Sequence, residues 1–347
     1  MWGLYICMSC AYTNSPVYEI WKNTVKKILM YTLSAPPHIH SNLSVKKIMW
    51  DVIIALVPAL GMGIYFFGTQ VLYPVVISIS TALITEAIIS KIRGLKTISN
   101  GSGIVTGLLL AMIIPPSVPL WLPAVGAACA VILGKEVFGG LGRNIFNPAL
   151  IGRAILVASW PTFMTTWLAP QPGWFRRIDA ETCATPLAIV KLNLTQELPS
   201  YWDLFIGNVG GCIGETSAFA LLLGAIFLFI RKRISWHIPV SYIGCVALLS
   251  WIFGHNGLFT GDALFSILSG GLILGAFFMA TDYVTTPITP RGKIIFGLGA
   301  GIIVVLIRLK GGYPEGVCYS ILLMNAVTPL IDRWKWTIPK KFGKINA

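Results

Sequence analysis

Apolar runs recur along the chain at about 49–68, 71–90, 101–114, 119–136, 145–160, 213–230, 237–254, 262–280, 293–309 and 315–331, separated by short polar or Gly/Pro-rich connections. A straight helix needs roughly 20 apolar residues to cross hydrocarbon. Several of these runs are shorter, so the pattern predicts about ten transmembrane helices, some of them broken or tilted. One connection is far longer than the rest, at 161–212, with five runs before it and five after. Five spans on each side give two halves of opposite orientation, the arrangement of inverted-repeat transporters. The expected fold is therefore an all-α integral membrane protein. Its segments are 1–48, a first five-helix repeat at 49–160, an extracytoplasmic loop at 161–212, a second repeat at 213–331 and a basic tail at 332–347.

Composition agrees with this pattern. The 347 residues are 55% hydrophobic and 11% charged, against roughly 25% charged in a soluble domain. The net charge of +13 does not mark a nucleic-acid protein, because the basic residues sit in short runs between apolar segments rather than on a solvated face. With the N-terminus in the cytoplasm, twenty Lys and Arg fall on that side, and five lie outside (Arg176, Arg177, Lys191, Arg308 and Lys310), with Arg153 inside a span. The positive-inside rule supports both the span count and the orientation. Seven scattered cysteines suggest no disulfide framework, although Cys7 and Cys10 have redox or metal spacing. Four dispersed histidines predict no haem or metal site, and no Walker loop or dinucleotide-binding Gly-x-Gly-x-x-Gly turn is present. Met30 offers an internal start, which would make residues 1–29 a dispensable leader.

The long connection holds the candidate chemistry. Asp179-Ala180-Glu181-Thr182-Cys183-Ala184-Thr185 reads Asp-x-x-Thr-x-Ala-Thr, the pattern on which flavin transferases join FMN through its phosphate to the last hydroxyl, here Thr185. Pro186 biases Thr185 toward an extended conformation. Asp179, Thr182 and Ala184 suit recognition by the modifying enzyme. Ionisable residues at membrane depth face a cavity or a partner. Of Asp51, Glu86, Glu136, Arg153, Glu215, Asp282 and Glu315, the candidates for a cation route are Glu86 and Glu215, while Arg153 is expected to pair with a glutamate or with a flavin. Gly139 to Pro148, with Asn144 and Asn147, and Gly311 to Gly316 are helix breaks whose freed amides suit a flavin ring or an ion, or else close helix packing. They are expected to meet at the repeat interface.

Seven ordered motifs carry a resemblance from about residue 30 onward. They are Pro36-Pro37-His38, Asp51 to Leu60, Gly134-Lys135-Glu136-Val137-Phe138-Gly139-Gly140, Asn144 to Ala149, Asp179 to Thr185, Phe278-Met279-Ala280-Thr281-Asp282 and Gly311-Gly312-Tyr313-Pro314-Glu315-Gly316. Together these resemble the D subunits of Rnf complexes, with the B subunits of Na⁺-translocating NADH:quinone reductase as close kin. The resemblance implies a ten-helix flavoprotein in an ion-pumping ferredoxin:NAD⁺ oxidoreductase, with FMN on Thr185 and, in some members, a non-covalent riboflavin. It implies partners in the other subunits (A, B, C, E and G), a flavin transferase, and Na⁺ or H⁺. It implies residence in the bacterial or archaeal cytoplasmic membrane, and a chain that does not catalyse alone. Ala180 and Cys183 depart from the small residues usual at their positions. The rival readings are a secondary transporter without redox function, a scaffold, or the quinone-reductase subunit.

Overall fold

A computed structural model describes residues 44–94, 100–173, 182–195, 197–254 and 257–333. Asp179, the leader, Cys7, Cys10, His38, His40, His255 and residues 334–347 lie outside them. The described residues are predominantly helical. In chain order come α1 (Val45–Phe67), α2 (Leu72–Arg93), α3 (Ser102–Met112), α4 (Trp121–Val131) and α5 (Pro148–Ser159). Short pieces follow: α6 (Pro161–Met164), strands β1 (Trp167–Leu168) and β2 (Thr182–Cys183), α7 (Pro186–Leu192) and α8 (Tyr201–Ile206). The remainder comprises α9 (Ala218–Ile230), α10 (His237–Ile252), the strand pair β3 (Phe253–Gly254) and β4 (Gly257–Leu258), α11 (Ala263–Leu268), α12 (Leu272–Leu274), α13 (Pro290–Lys310) and α14 (Val317–Arg333).

By length and apolarity, Val45–Phe67, Thr69–Arg93 and Pro290–Lys310 suffice to cross a membrane, and Ser102–Met112, Pro148–Ser159, Ala218–Ile230 and His237–Ile252 are apolar but shorter. The short ones have local causes. The 145–160 run starts its helix only at Pro148, because Asn147 caps it by accepting from Ala149 N at 3.1 Å and Pro148 is preset for the first helical turn. The 213–230 run starts at Ala218, where Ser217 Oγ accepts from Ala220 N at 3.3 Å. That leaves Glu215 in irregular backbone. The 262–280 run breaks at Ser269–Gly271, with Gly270 at φ 70°. It then closes in a π turn over Gly275–Met279, as α4 does over Ile132–Glu136.

Small residues let these helices approach closely. A Cβ on Gly224 of α9 would lie 2.0 Å from the Ala55 carbonyl oxygen of α1. Ser78 of α2 donates to the Gly107 carbonyl of α3 at 2.8 Å. The same order of packing recurs in the two halves of the chain. α2 packs on α3 and α4, while α10 packs on α11 and α13. α1 meets α9, and α5 meets α14. A continuous core of buried Leu, Ile, Val, Ala and Phe runs through both halves.

Candidate functional site

The end of the motif is held by a two-rung ladder and a helix start. Thr182 and Cys183 pair antiparallel with Leu168 and Trp167. The chain then reaches Thr185 in extended backbone, where its Oγ1 accepts from Ala188 N at 3.2 Å and so caps α7, with Pro186 at the first helical position. Cys183 is half-buried, and a Cβ on Gly210 would lie 2.3 Å from its Sγ, so the bulkier residue is accommodated by a glycine opposite it. Burial pushes the Cys183 thiol up from its ordinary range. Thr182 is exposed on β2, and Ala184 is half-buried beside it.

The half-buried Thr185 opens onto a cleft of about 480 Å³, part of it open to solvent. Trp167, Leu187, Leu268 and the Gly210–Gly211 backbone form its apolar walls, and Glu215 and Glu315 reach it from the core. An FMN phosphoester on Thr185 fits the residues present. The hydroxyl faces space lined by an aromatic ring, and esterification leaves an oxygen that still accepts from Ala188.

Behind the cleft, one guanidinium holds two carboxylates. Arg153 Nη1 donates to Glu215 Oε1 and Nη2 to Glu315 Oε2, each at 2.6 Å. Glu315 Oε1 also accepts from Gly271 N at 2.7 Å. Both carboxylates crowd Gly271, where a Cβ would sit 2.4 Å from Glu215 Oε1 and 2.6 Å from Glu315 Oε1. Arg308, also buried, turns its guanidinium to the carbonyls of Ser266, Ser269 and Glu315 at 2.7, 3.2 and 3.3 Å. The expected pairing of Arg153 with a glutamate is therefore present twice. In the sequence Glu315 stands only as one intramembrane charge among several; its place in Gly311 to Gly316 is the available signal for a site role.

The remaining candidates gather elsewhere. Lys135, 2% exposed, donates to Glu86 Oε1 and to Ser102 Oγ at 2.7 Å each, and Ser102 Oγ donates to Glu86 at 3.2 Å. Glu136 accepts from Arg93 at 3.2 Å. Lys135, Asn144 and Asn147 line a second cleft of about 810 Å³ with Phe277, Phe278 and Asp282. Asn144 Nδ2 donates to the Phe146 carbonyl at 3.1 Å and Asn147 Nδ2 to the Met279 carbonyl at 3.2 Å. With its amide turned to donate to Thr285 O at 3.2 Å, Asn325 accepts from Asn147 N at 3.1 Å. The two glycine-rich breaks line separate clefts. Leu141, Asn144 and Asn147 line one, and Pro314 and Glu315 the other.

Comparison with known proteins decides the family. The model for the NQR2, RnfD, RnfE family matches residues 32–343. The chain belongs to that family. It is 50% identical over 324 residues to the D subunit of the proton-translocating ferredoxin:NAD(+) oxidoreductase complex of Clostridium ljungdahlii, covering 90% of this chain and 96% of that one. It is 46% identical over 309 residues to the D subunit of the Na(+)-translocating ferredoxin:NAD(+) oxidoreductase complex of Acetobacterium woodii, covering 88% and 94%. It is 40% identical over 358 residues to the D subunit of the ion-translocating oxidoreductase complex of Haemophilus influenzae, covering 90% and 98%. Family membership and the apolar helices together make this a membrane protein. The two most similar of these relatives are named for different ions, so family membership does not choose between Na⁺ and H⁺.

Proposed function

We propose that this chain is the D-type membrane component of an ion-translocating ferredoxin:NAD⁺ oxidoreductase complex, carrying FMN as a phosphoester on Thr185. The observation that carries this reading is the Thr185 hydroxyl at the mouth of a cleft backed by the Glu215–Arg153–Glu315 group. Bound FMN would supply one- and two-electron chemistry, which belongs to the cofactor. The chain's residues supply the setting. Trp167, Leu187 and Leu268 limit water, Thr185 fixes the attachment point, and Arg153 holds two carboxylates at a set distance behind it. Negative charge gained in a medium of low dielectric is offset by a nearby cation, and Glu215 is the group in this cleft that would meet Na⁺ or H⁺. Glu86, beside the second cleft, is the other member of the proposed route.

Ten membrane segments in two inverted repeats complete the reading. The recurrent packing order of α1 to α5 and α9 to α14 supports them, as does the loop charge, which favours cytoplasmic termini and an extracytoplasmic Thr185. The second cleft, with Asn144, Asn147 and Phe277, suits a non-covalent riboflavin, which should be released by acid and lost in Asn147→Ala while protein-bound flavin stays.

Denaturing gel fluorescence tests the attachment. Protein made in its host, with the transferase present, should carry flavin emission that follows the polypeptide and disappears in Thr185→Ala. A fluorescent band that persists in the variant moves the attachment elsewhere. A band absent from the wild-type chain favours a non-redox transporter.

A further inference from the structure

A third cleft, of about 840 Å³, adjoins the second and shares Arg233, Ile234, Thr281 and Tyr283 with it, between the α9–α10 turn and the start of α13. Lys232, Arg233 and Lys293 line it, together with Ser235, Thr281 and Tyr283. Arg233 is already committed, its Nε donating to Asp51 Oδ2 at 2.6 Å. Among the described residues neither Lys232 nor Lys293 has a carboxylate within ion-pair distance. Three carboxylates stand near it: Asp332 accepts from Ile288 N at 3.1 Å, Asp51 is taken up by Arg233, and Asp282 accepts from Thr285 Oγ1 at 3.4 Å. The rim itself is apolar and aromatic, with Ile288 83% and Tyr283 56% exposed. A polar floor below an exposed apolar rim is the profile of a membrane–water interface.

The backbone at Lys232 is an independent observation. Lys232 N donates to Phe229 O and Arg233 N to Leu228 O, each at 2.9 Å, so α9 ends in a Schellman closure. The left-handed position in that closure favours glycine, yet Lys232 occupies it at φ 54°. A helix stop needs no ammonium there. A strained residue kept where glycine would be easier points to a use for its side chain.

We propose that this cleft binds the phosphodiester headgroup of an anionic phospholipid, with Lys232 and Lys293 meeting the phosphate and the Ser235 hydroxyl completing its shell. The acyl chains leave past Ile288 and Tyr283 into the bilayer. Basic pockets between membrane helices recognise acidic headgroups in this way. The cleft sits at the end of the bundle that the proposed orientation sets in the cytoplasm, but headgroup binding does not depend on that orientation or on flavin.

Native mass spectrometry of the full chain in mild detergent, titrated with phosphatidylglycerol, phosphatidylcholine or inorganic phosphate, tests the proposal. Wild type should retain phosphatidylglycerol in preference to phosphatidylcholine. Lys232→Gly and Lys293→Gln should each weaken retention about fivefold, the contribution of one basic side chain near an acidic leaflet. Lys232→Gly relieves backbone strain, so its thermal midpoint should hold or rise while binding falls. A purely structural lysine would leave lipid retention unchanged. Equal retention by the double variant, or no preference over phosphatidylcholine, overturns the site. Lysine-dependent binding of inorganic phosphate alone, as tight as that of the lipid, overturns the lipid as its source.

Discussion

Arg153 Nη1 and Glu215 Oε1 lie 2.6 Å apart although 62 residues separate them in the chain. Arg153 also holds Glu315, so removing one member of the group does not always leave the same remainder. Glu215→Gln leaves a matched Arg153–Glu315 pair. Arg153→Ala strands the buried Glu215 and the part-buried Glu315 without their cation, and breaking a buried pair in that way costs about 3–5 kcal/mol. Thermal unfolding in detergent should therefore rank Arg153→Ala well below Glu215→Gln, and the reverse order would mean that Glu315 does not share the guanidinium.

Lys135 and Glu86 form another buried pair, each 2% exposed. Glu86→Gln leaves a buried ammonium and Lys135→Met a buried carboxylate, each expected to cost about 3–5 kcal/mol. The double variant should cost much less than their sum, because neither charge is then stranded. Ion transport per electron by the assembled complex provides the functional counterpart. If Glu86→Gln and Glu215→Gln both leave it intact, these carboxylates are structural.

Thr185 serves the fold as well as the proposed attachment. Thr185→Ala removes the cap on α7 and should cost about 0.5–2 kcal/mol even in protein made without the transferase. Thr185→Ser keeps an acceptor and should recover most of that loss. Comparing the three proteins by thermal unfolding separates the cap from the cofactor.

Cys183 sits beside the cleft with its thiol pushed up by burial. The thiolate is the reactive form, so a raised pKa lowers its fraction at neutral pH, and alkylation should be slow there. The rate should climb with pH and level off only above the range of a free cysteine. Alkylation at pH 7 as fast as that of a free thiol would contradict the observed burial.

At Gly224 an added Cβ would meet backbone, 2.0 Å from the Ala55 carbonyl oxygen, and backbone cannot rotate aside. Gly224→Ala should part α1 from α9 and destabilise by about 1–3 kcal/mol, the usual cost of overpacking. Gly244→Ala in α10 serves as a control, because a Cβ there meets nothing within 4 Å and a helical alanine should hold or raise the thermal midpoint.

The sequence shows where apolar helices fall to within a few residues, because chain-long hydrophobic runs and their Gly/Pro stops survive in any tertiary context. It shows less well where a run is interrupted. The irregular backbone before Ala218 and the break at Ser269–Gly271 depend on caps and carboxylates contributed by distant segments, and residue spacing does not record those. For the same reason Arg153 and Glu215 are visible singly as buried charges, whereas their meeting with Glu315 over Gly271 is not. Asn144 and Asn147 are legible as a helix break, but their cleft is closed by Phe277 and Phe278 from the other half of the chain.

Arg153 carries a consequence for biosynthesis. Its helix is made first, and Glu315, its second partner, follows 162 residues later. A lone arginine at the centre of a membrane helix costs about 2.5–3.5 kcal/mol to insert by the translocon route. α5 therefore emerges with its arginine unpaired, and the three-member group closes only once Glu315 has been made.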